Sequence, residues 1–472
     1  MECITDMPIS KQLHILLANN YTARGGIPNV VASLANAMTE RGHRVTIYSQ
    51  KPVPRLLYPL YRLGYRFYEL SLPEGVRASL PRGTEKLQDM YPLHPDVEIR
   101  PYSLTDNNLK IQRLRQEIRA LSPDVCVCPF PDGSHLIWAV TLLGSGVPYV
   151  YSERHSPQTI ETVFWNRKGR LAAMSGADAI HLLLPLYRNS VPEFLRERVH
   201  VIPNAVPTPP TCANPAGSSG APKVLLWLGR LHEELKQCRL AMDAFALVAA
   251  QYPDWEMHVV GDGQDRDMLH AHAAATGLGD RLKLLGEAKD VWPVYAAAHA
   301  FCFSSRTEGM PNALLEAMAC GLPSVCFASC EGVPDLVRHE ENGLMANHMD
   351  TTSLAEQLGR LMADAGLREC LGNNARKSVA VFAEQCVFDA WERLLCEVAL
   401  SKGHTAMDAF TQEPFASMAR LSAAARREWL WRDFRGLMPD TAEAVLYWLC
   451  RELPLQGYNA LISGLKKRSR LS

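Results

Sequence analysis

The chain has 472 residues, of which 47% are hydrophobic and 21% charged, and this predicts a globular protein with more than one domain. The formal net charge of −1 excludes a strongly basic chain but by itself argues neither for nor against a nucleic-acid or membrane partner. We expect no nucleic-acid partner. The first twelve residues lack the apolar core of a secretion signal.

The charge-free run 133–152 is long enough to cross a bilayer, but Gly144, Gly146 and Pro148 interrupt it. We therefore expect a buried helix followed by a buried strand, in a cytoplasmic protein that contacts membranes at most from their cytoplasmic face. The 13 cysteines include no C-x-x-C pair, so we expect free, mostly buried thiols and no zinc site.

The first half of the chain alternates strands with helices. LHILLA (13–18) predicts a strand, residues 29–43 carry apolar side chains at helical spacing, and RVTIYSQ (44–50) predicts the next strand. Further strands are predicted at 123–128, 147–152 and 199–204. This order is typical of a doubly wound α/β sheet, here in a Rossmann-like domain over 1–206 with an irregular insertion at 51–108.

The segment 207–222 is rich in proline, glycine and serine, and it predicts a linker. After it the alternation restarts, which predicts a second parallel-sheet domain over 223–385. We expect the helix 386–400 to return to the first domain, and a helical extension at 401–472. Two such domains would face a crevice, where the carboxyl ends of parallel strands bind ligands.

Two glutamates stand out in SSRTEGMPNALLEAMACGLPSV (304–325). Glu308 lies in a predicted turn and Glu316 in the helix after it, with Pro311 suited to the first helical position and Gly309 to close backbone approach. The N–H groups of a helix start can hold a phosphate, and flanking carboxylates suit the hexose and ribose of a nucleotide sugar. The alternative is that acidic residues near a helix start only favour its dipole.

EGMPNALLEAMACGLPSVCF (308–327) followed by EGVPDLVRHEENGLMA (331–346) resembles the signature of glycosyltransferase family 4, the retaining group 1 enzymes with the GT-B fold. Other segments resemble that family in order and spacing: ARGGIPNVVASLANAMTERGHRVTIYS, VHVIPNAV, LLWLGRLHEELKQCRLAMDAFALVA and HVVGDGQDRDML. The resemblance covers about 13–50 and 123–398. It implies that the donor diphosphate leaves and the sugar keeps its anomeric configuration, without a protein nucleophile.

The resemblance also implies roles for single residues. Arg230 and Lys236 would neutralise the leaving diphosphate, Glu308 would contact the transferred sugar, and Glu316 the ribose. Five residues separate Arg230 from Lys236, where the family usually has four. The other implied donor-binding positions are Gly25, Gly26, Gly309, Met310, Pro311 and Asn312, and residues 286–290 would lie near the base. The alternative for Gly25 and Gly26 is a simple tight turn.

His155 follows a predicted strand in YVYSERHSPQ (149–158). The resemblance implies a polar residue here, near the donor sugar and the acceptor. A structural histidine is the other interpretation. Relatives with a Ser-Glu-Arg stretch suggest Glu153 or Arg154 in its place.

Four other functions compete with this interpretation. Asp265 and Asp267 spell the D-x-D of metal-dependent glycosyltransferases, but acids normally stand at a helix start, which is the preferred interpretation, and we expect no metal or cofactor. A dehydrogenase needs G-x-G-x-x-G directly after the first strand, which the chain lacks. A nucleotide-sugar epimerase and a non-catalytic nucleotide-sugar binder stay open as alternatives.

The sequence thus predicts a metal-independent transferase that moves a hexose or N-acetylhexosamine from a nucleotide sugar, with UDP as the default nucleotide. The acceptor would be a glycan or a lipid-linked glycan in surface polysaccharide or glycoconjugate synthesis. Aromatic residues interleaved with arginines at 56–70 suit a lipid-linked acceptor or a membrane interface, but the preferred interpretation is a helical hairpin packed on its own domain. The basic tail LKKRSRLS suits contact with anionic lipid, but a solvated tail explains it as well.

Overall fold

The computed structural model of the protein describes most of the chain. The described residues are 11–19, 26–50, 87–102, 109–130, 138–139, 141–142, 145–157, 167–217 and 221–400. Gly25, the aromatic segment 56–70 and the predicted extension 401–472 lie outside the described residues.

The first sheet is built from the N-terminal part of the chain. Its elements are β1 (His14–Asn19), α1 (Gly26–Glu40), β2 (Arg44–Gln50), α2 (Leu87–Met90), β3 (Glu98–Tyr102), α3 (Leu109–Leu121), β4 (Val125–Phe130), β5 (Tyr149–Glu153), α4 (Arg167–Gly176), β6 (Ala179–Leu182), two 3-10 helices (Pro185–Ser190 and Glu193–Arg198) and β7 (Val199–Val201). The seven strands are all parallel, in the order β3-β2-β1-β4-β5-β6-β7. Fully buried apolar side chains such as Ile15, Val45 and Val127 place its core on the sheet faces.

The second sheet restarts the same pattern. Its elements are β8 (Lys223–Leu228), α5 (Glu233–Lys236), α6 (Cys238–Ala249), β9 (Trp255–Val260), α7 (Arg266–Ala275), a 3-10 helix (Gly279–Arg281), β10 (Leu282–Gly286), α8 (Trp292–Ala296), β11 (Ala300–Phe303), α9 (Asn312–Ala319), β12 (Ser324–Phe327), α10 (Val333–Leu336), β13 (Leu344–Ala346), α11 (Thr351–Ala363), α12 (Ala365–Ser378), a 3-10 helix (Ala380–Phe382) and α13 (Glu384–Leu400). The six strands are parallel, in the order β10-β9-β8-β11-β12-β13.

The second sheet therefore has the strand order 3-2-1-4-5-6 of the doubly wound fold, and the first has the same order with a seventh strand added at its edge. The order reverses between β1 and β4 in the first sheet and between β8 and β11 in the second. In open parallel sheets such a reversal opens a ligand site at the carboxyl ends of the two strands. The prediction of two doubly wound parallel sheets is confirmed.

The interrupted apolar run forms buried structure where it is described. Trp138 and Leu142 are buried in helical backbone, and β5 follows as a fully buried strand. No described helix combines the length and the apolar character that crossing a bilayer requires. Seven of the described cysteines are buried free thiols, as predicted: Cys126, Cys128, Cys238, Cys302, Cys320, Cys326 and Cys330.

The chain divides into two compact units by its contacts. The second unit is Ile202–Ala390, and the first contains the described residues of 11–201 together with Trp391–Leu400. These divisions differ by a few residues from the boundaries predicted at 206 and 386.

Within the first unit, the end of α13 is held by polar contacts. Nδ1 of His43 accepts a hydrogen bond from the Leu13 N–H at 3.2 Å, so the ring proton has to sit on Nε2. Nε2 lies 3.0 Å from Glu392 Oε1, and Arg41 Nε lies 3.2 Å from Glu392 Oε2. Trp391 packs on the ring of His181 at a centroid distance of 4.5 Å.

The predicted linker is fixed to the second unit by one buried arginine. Arg368 is 1% exposed, and its guanidinium donates to the carbonyl oxygens of Pro215 (2.6 Å), Ala216 (3.2 Å) and Leu361 (2.6 Å). Its charge also lies 5.1 Å from the ring centroid of Trp255. The proline and glycine content of 207–217 correctly indicates an irregular backbone. The segment is nevertheless anchored, because its carbonyl oxygens accept hydrogen bonds from the buried guanidinium of Arg368.

Candidate donor-binding site

The candidate site lies where the second sheet reverses its strand order. Ala300 of β11 pairs with Leu225 of β8, so the two strands are parallel neighbours. Arg230 follows the end of β8, and residues 304–311 follow the end of β11. Because both strands end at the same edge of the sheet, their loops form one surface.

The loop after β8 is fixed by two glycines of the GDG turn after β9. A Cβ atom on Gly261 would lie 1.8 Å from the carbonyl oxygen of Gly229, and one on Gly263 would lie 2.2 Å from that of Leu231. The backbones of the two loops are also joined by hydrogen bonds: the Gly229 N–H donates to Val260 O, and the Leu231 N–H donates to Asp262 O. Only glycine permits this contact, which sets the position of Arg230 between Gly229 and Leu231.

The short helix α5 brings Lys236 to the same edge. It forms one turn and is capped at its carboxyl end by Gln237, which has a left-handed φ of 50°. The Ser304 hydroxyl, at the end of β11, lies 2.9 Å from the carbonyl oxygens of both Lys236 and Gln237, and it accepts from Trp227 Nε1 at 3.0 Å. These contacts fix the carboxyl end of α5 against the end of β11.

Lys236 Nζ forms an ion pair with Glu308 Oε1. Both side chains keep contact with solvent, at 26% and 14% exposure. In the same loop, Thr307 Oγ1 donates to Glu331 Oε2 at 3.3 Å, which ties the end of β11 to the loop after β12. Lys236 and Glu308 are therefore oriented by one another while remaining accessible to a ligand.

The start of α9 is braced by Asn204. Asn204 Nδ2 donates to Asn312 Oδ1 at 2.9 Å, and its backbone N–H lies 3.0 Å from Met310 Sδ. The prediction that Pro311 occupies the first helical position is wrong by one residue. Pro311 is the N-cap, because its ψ of 75° is not helical, and α9 begins at Asn312.

Glu316 lies in α9 with its carboxyl group close to Tyr295 of α8. Tyr295 Oη lies 2.9 Å from Glu316 Oε2 and 3.2 Å from the carbonyl oxygen of Ala313. Burial raises the pKa of Glu316 to about 7, while the hydrogen bond from Tyr295 opposes that rise. The sequence analysis identified neither Tyr295 nor Asn204, because their partners lie 21 and 108 residues away.

The candidates of the first unit have different surroundings. Glu153 is 1% exposed and accepts from Arg170 Nε (2.7 Å) and Nη2 (3.0 Å), which indicates a structural ion pair. Arg154 is also buried, 5.4 Å from the ring centroid of Trp391, and burial lowers its pKa to about 9. His155 is partly buried just after β5, and Gly26 begins α1.

The D-x-D triplet has a structural role in the second unit. Asp265 Oδ2 accepts from the Glu233 N–H at 2.7 Å, at the first residue of α5, and Asp267 lies in the first turn of α7. Near the predicted base-binding stretch, Asp290 Oδ1 accepts from the Trp292 N–H at 3.1 Å at the start of α8. Over the part of the chain that the structure describes, no group of three or more acidic, histidine or cysteine side chains could hold a metal ion.

Comparisons with known proteins agree with the fold. The family model described as Glycosyltransferase Family 4 matches residues 24–209, and the model described as Glycosyl transferases group 1 matches residues 222–364. Together they account for more than half of the chain. The solved structure of Anabaena HepE in complex with UDP and glucose covers 82% of this chain and 100% of its own, with a TM-score of 0.63 at 17% identity.

Two curated bacterial proteins are similar in sequence. An exopolysaccharide phosphotransferase of Streptomyces coelicolor is 28% identical over 301 residues, which are 63% of this chain and 31% of that protein. The match thus spans about a third of that relative. The GalNAc-alpha-(1->4)-GalNAc-alpha-(1->3)-diNAcBac-PP-undecaprenol alpha-1,4-N-acetyl-D-galactosaminyltransferase of Campylobacter jejuni is 22% identical over 374 residues, 79% of this chain and 96% of that protein. The chain therefore belongs to the group 1 glycosyltransferases of family 4, and its two parallel sheets have the GT-B fold class.

Proposed function

We propose that the protein is a metal-independent, retaining glycosyltransferase that moves a hexose or N-acetylhexosamine from a UDP-sugar to a hydroxyl group of a glycan or lipid-linked acceptor. The observation that carries the proposal is the accessible Lys236–Glu308 ion pair at the carboxyl edge of β8 and β11. The Campylobacter relative, whose name includes an undecaprenol diphosphate, supports a lipid-linked acceptor. Synthesis of surface polysaccharide or glycoconjugate is the proposed setting.

The cations at this edge would act on the leaving diphosphate. Arg230 is exposed at the end of β8, and Lys236 is partly exposed beside it along the loop. Negative charge grows on the diphosphate as the sugar departs, and oriented cations stabilise it more in the transition state than in the ground state. Lys236 would then exchange part of its contact with Glu308 for a phosphate oxygen.

The carboxylates would orient the two ends of the donor. An ionised carboxylate only accepts hydrogen bonds. Sugar hydroxyls, which can donate, are therefore suitable partners for Glu308 once Lys236 turns to the diphosphate. Backbone N–H groups around Gly309, Met310 and Asn312 would hold phosphate or sugar oxygens. Glu316 would accept from the ribose. Positioning and charge stabilisation then supply the catalysis.

In the first unit, His155 stays a proposed residue of the acceptor side. The buried ion pair with Arg170 argues against Glu153 as its replacement, since a carboxylate with both oxygens bound to a guanidinium has little capacity left for a sugar. Gly25 and Gly26 stay proposed donor-binding residues.

Thermal unfolding against UDP, GDP, ADP and common nucleotide sugars, with and without EDTA, tests the proposal. A ligand present at 100 times its Kd stabilises the native state by about 2.7 kcal/mol, so a bound nucleotide raises the midpoint. We expect a rise with UDP or a UDP-sugar that survives EDTA, and release of UDP from the sugar when an acceptor is supplied.

The same thermal-unfolding experiment tests the site itself when it is repeated with Lys236→Ala. Lys223→Ala is the matched control. Lys223 also pairs with a carboxylate, Asp254, and its side chain is 25% exposed, but it lies at the opposite end of β8. We expect the midpoint rise to be lost in Lys236→Ala and kept in Lys223→Ala. A rise of equal size in both variants, or no rise with any nucleotide in the unmodified protein, contradicts the proposed function.

A further inference from the structure

Tyr295 and Glu316 form a hydrogen-bonded pair in which one proton serves two acceptors. Tyr295 Oη lies 2.9 Å from Glu316 Oε2 and 3.2 Å from the carbonyl oxygen of Ala313. The tyrosine ring is fully buried and packs edge-on against Phe301 at a centroid distance of 5.9 Å. The packing therefore holds Oη at one place between the two oxygens.

A phenol can donate only one hydrogen bond, so the state of Glu316 decides where the proton points. When Glu316 is ionised, its carboxylate is the stronger acceptor and receives the Tyr295 proton. When Glu316 is protonated, its own O–H can donate to Tyr295 Oη, and the phenol proton turns to the Ala313 oxygen. Each arrangement is a complete set of hydrogen bonds, so the pair accommodates both protonation states of Glu316.

Few other groups influence the charge of Glu316. Burial raises its pKa to about 7, and Tyr295 is the one group among the described residues that opposes this rise. Cys320, at the end of α9, acts on Tyr295, but burial raises the pKa of its thiol to about 12 and it stays neutral near pH 7. Helix α12 packs against α9, and none of its described charged groups acts on Glu316.

We propose that Tyr295 is a positioning residue that makes Glu316 a proton-dependent receptor for the ribose, so that nucleotide binding strengthens as the pH rises through neutrality. The inference rests on the proposed function, in which Glu316 accepts hydrogen bonds from ribose hydroxyls. The ionised carboxylate accepts from both hydroxyls, whereas the acid loses acceptor capacity and releases its proton to solvent when the ribose binds. By holding Oε2, Tyr295 directs Oε1 of the carboxylate to the ligand.

The first experiment needs no nucleotide. The free energy of unfolding is measured from pH 5.5 to pH 8.5 for the unmodified protein, Tyr295→Phe, Glu316→Gln and the double variant. The difference between each protein and its Glu316→Gln counterpart reports the titration of Glu316 alone. Phenylalanine keeps the buried ring but removes the donor to the carboxylate. We expect it to move the titration of Glu316 upward by about one pH unit or more.

The second experiment measures the Kd of UDP and of 2′,3′-dideoxyuridine 5′-diphosphate at pH 6 and pH 8. Both ligands carry the same titrating diphosphate, so their difference isolates the ribose hydroxyls. One pH unit below its pKa, about a tenth of a carboxyl group is ionised. We expect UDP to gain roughly tenfold in affinity between pH 6 and pH 8 relative to the dideoxy ligand. Tyr295→Phe should move that gain to higher pH, and Glu316→Gln should abolish it.

The outcomes separate this inference from the proposed function. If no nucleotide binds the unmodified protein at either pH, the proposed function fails. If UDP binds but its advantage over the dideoxy ligand does not change with pH, the inference is overturned while the donor site stands. An unchanged titration of Glu316 in Tyr295→Phe also overturns it, because a merely structural tyrosine would alter overall stability without moving that titration.

Discussion

Two glutamates near the carboxyl ends of parallel strands pair with a cation, and their environments differ. In the first unit, Glu153 and Arg170 are 1% and 3% exposed and are joined by two hydrogen bonds. In the second unit, Glu308 and Lys236 are 14% and 26% exposed and are joined by one. A glutamate that ends β5 and a glutamate in the loop after β11 thus form ion pairs that differ in burial. Access to solvent distinguishes a structural pair from one that can receive a ligand.

Removing the buried cation gives the largest expected effect. In Arg170→Ala, Glu153 stays buried, and among the described residues the Tyr151 hydroxyl, 3.1 Å from Glu153 Oε2, remains as a hydrogen-bond donor. An uncompensated buried charge costs roughly 3–5 kcal/mol. We expect a loss of that size in the free energy of unfolding, measured by urea denaturation. A loss below about 1 kcal/mol would mean that burial is not what separates the two pairs.

Removing the accessible cation, Lys236, should lower the catalytic rate strongly and the stability of the fold only slightly. Lys236→Ala breaks a pair in contact with solvent, where the typical contribution to stability is below about 1 kcal/mol. Loss of one group that stabilises developing charge typically lowers kcat by 10²–10³-fold. We expect turnover of the UDP-sugar to fall by about 10²-fold or more, with unfolding almost unchanged. Lys223→Ala is the control, and equal turnover in the two variants would contradict the role of Lys236.

Glu316 extends the comparison to a carboxyl group whose described partner is a tyrosine. Its folded-state pKa is raised from 4.5 to about 7, so its contribution to stability is present at low pH and is lost as the pH rises through 7. Between pH 5.5 and pH 8.5, the stability of the unmodified protein should fall by about 2 kcal/mol relative to Glu316→Gln. Urea denaturation at a series of pH values measures it. Parallel curves for the two proteins would show that burial does not shift this group.

The smallest effect is expected at the brace of α9. Asn204→Ala removes the hydrogen bond to Asn312 and keeps the backbone contact with Met310. A single hydrogen bond of this kind contributes about 1 kcal/mol, so we expect a similar loss of stability. Nucleotide affinity should also weaken by a few-fold, because the first turn of α9 loses its support. The Kd of UDP checks this, and Gln385→Ala, which removes an exposed helix-surface hydrogen bond to Asp389, is the control.

The sequence predicted the sheets because apolar runs alternate with segments of helical periodicity, and the run RVTIYSQ (44–50) coincides with β2. The sequence also singled out Lys236 and Glu308 as candidates, and the fold brings these two side chains together in an ion pair. Local patterns could not identify Tyr295 or Asn204, because their roles depend on partners brought together by the fold. The same limit applies to Glu153. Its sequence context suggested a role near the donor sugar and the acceptor, but its ion pair with Arg170 of α4 indicates a structural role.

The anchored segment 207–217 has a practical consequence for dissecting the chain. Its composition suggests a cut at Lys223 for a fragment meant to fold as the second unit. Arg368, however, donates two of its hydrogen bonds to Pro215 and Ala216, so such a fragment would keep a buried guanidinium without two of its acceptors. A fragment that begins at Ile202 retains both carbonyl groups and is the better choice for expression and nucleotide titration.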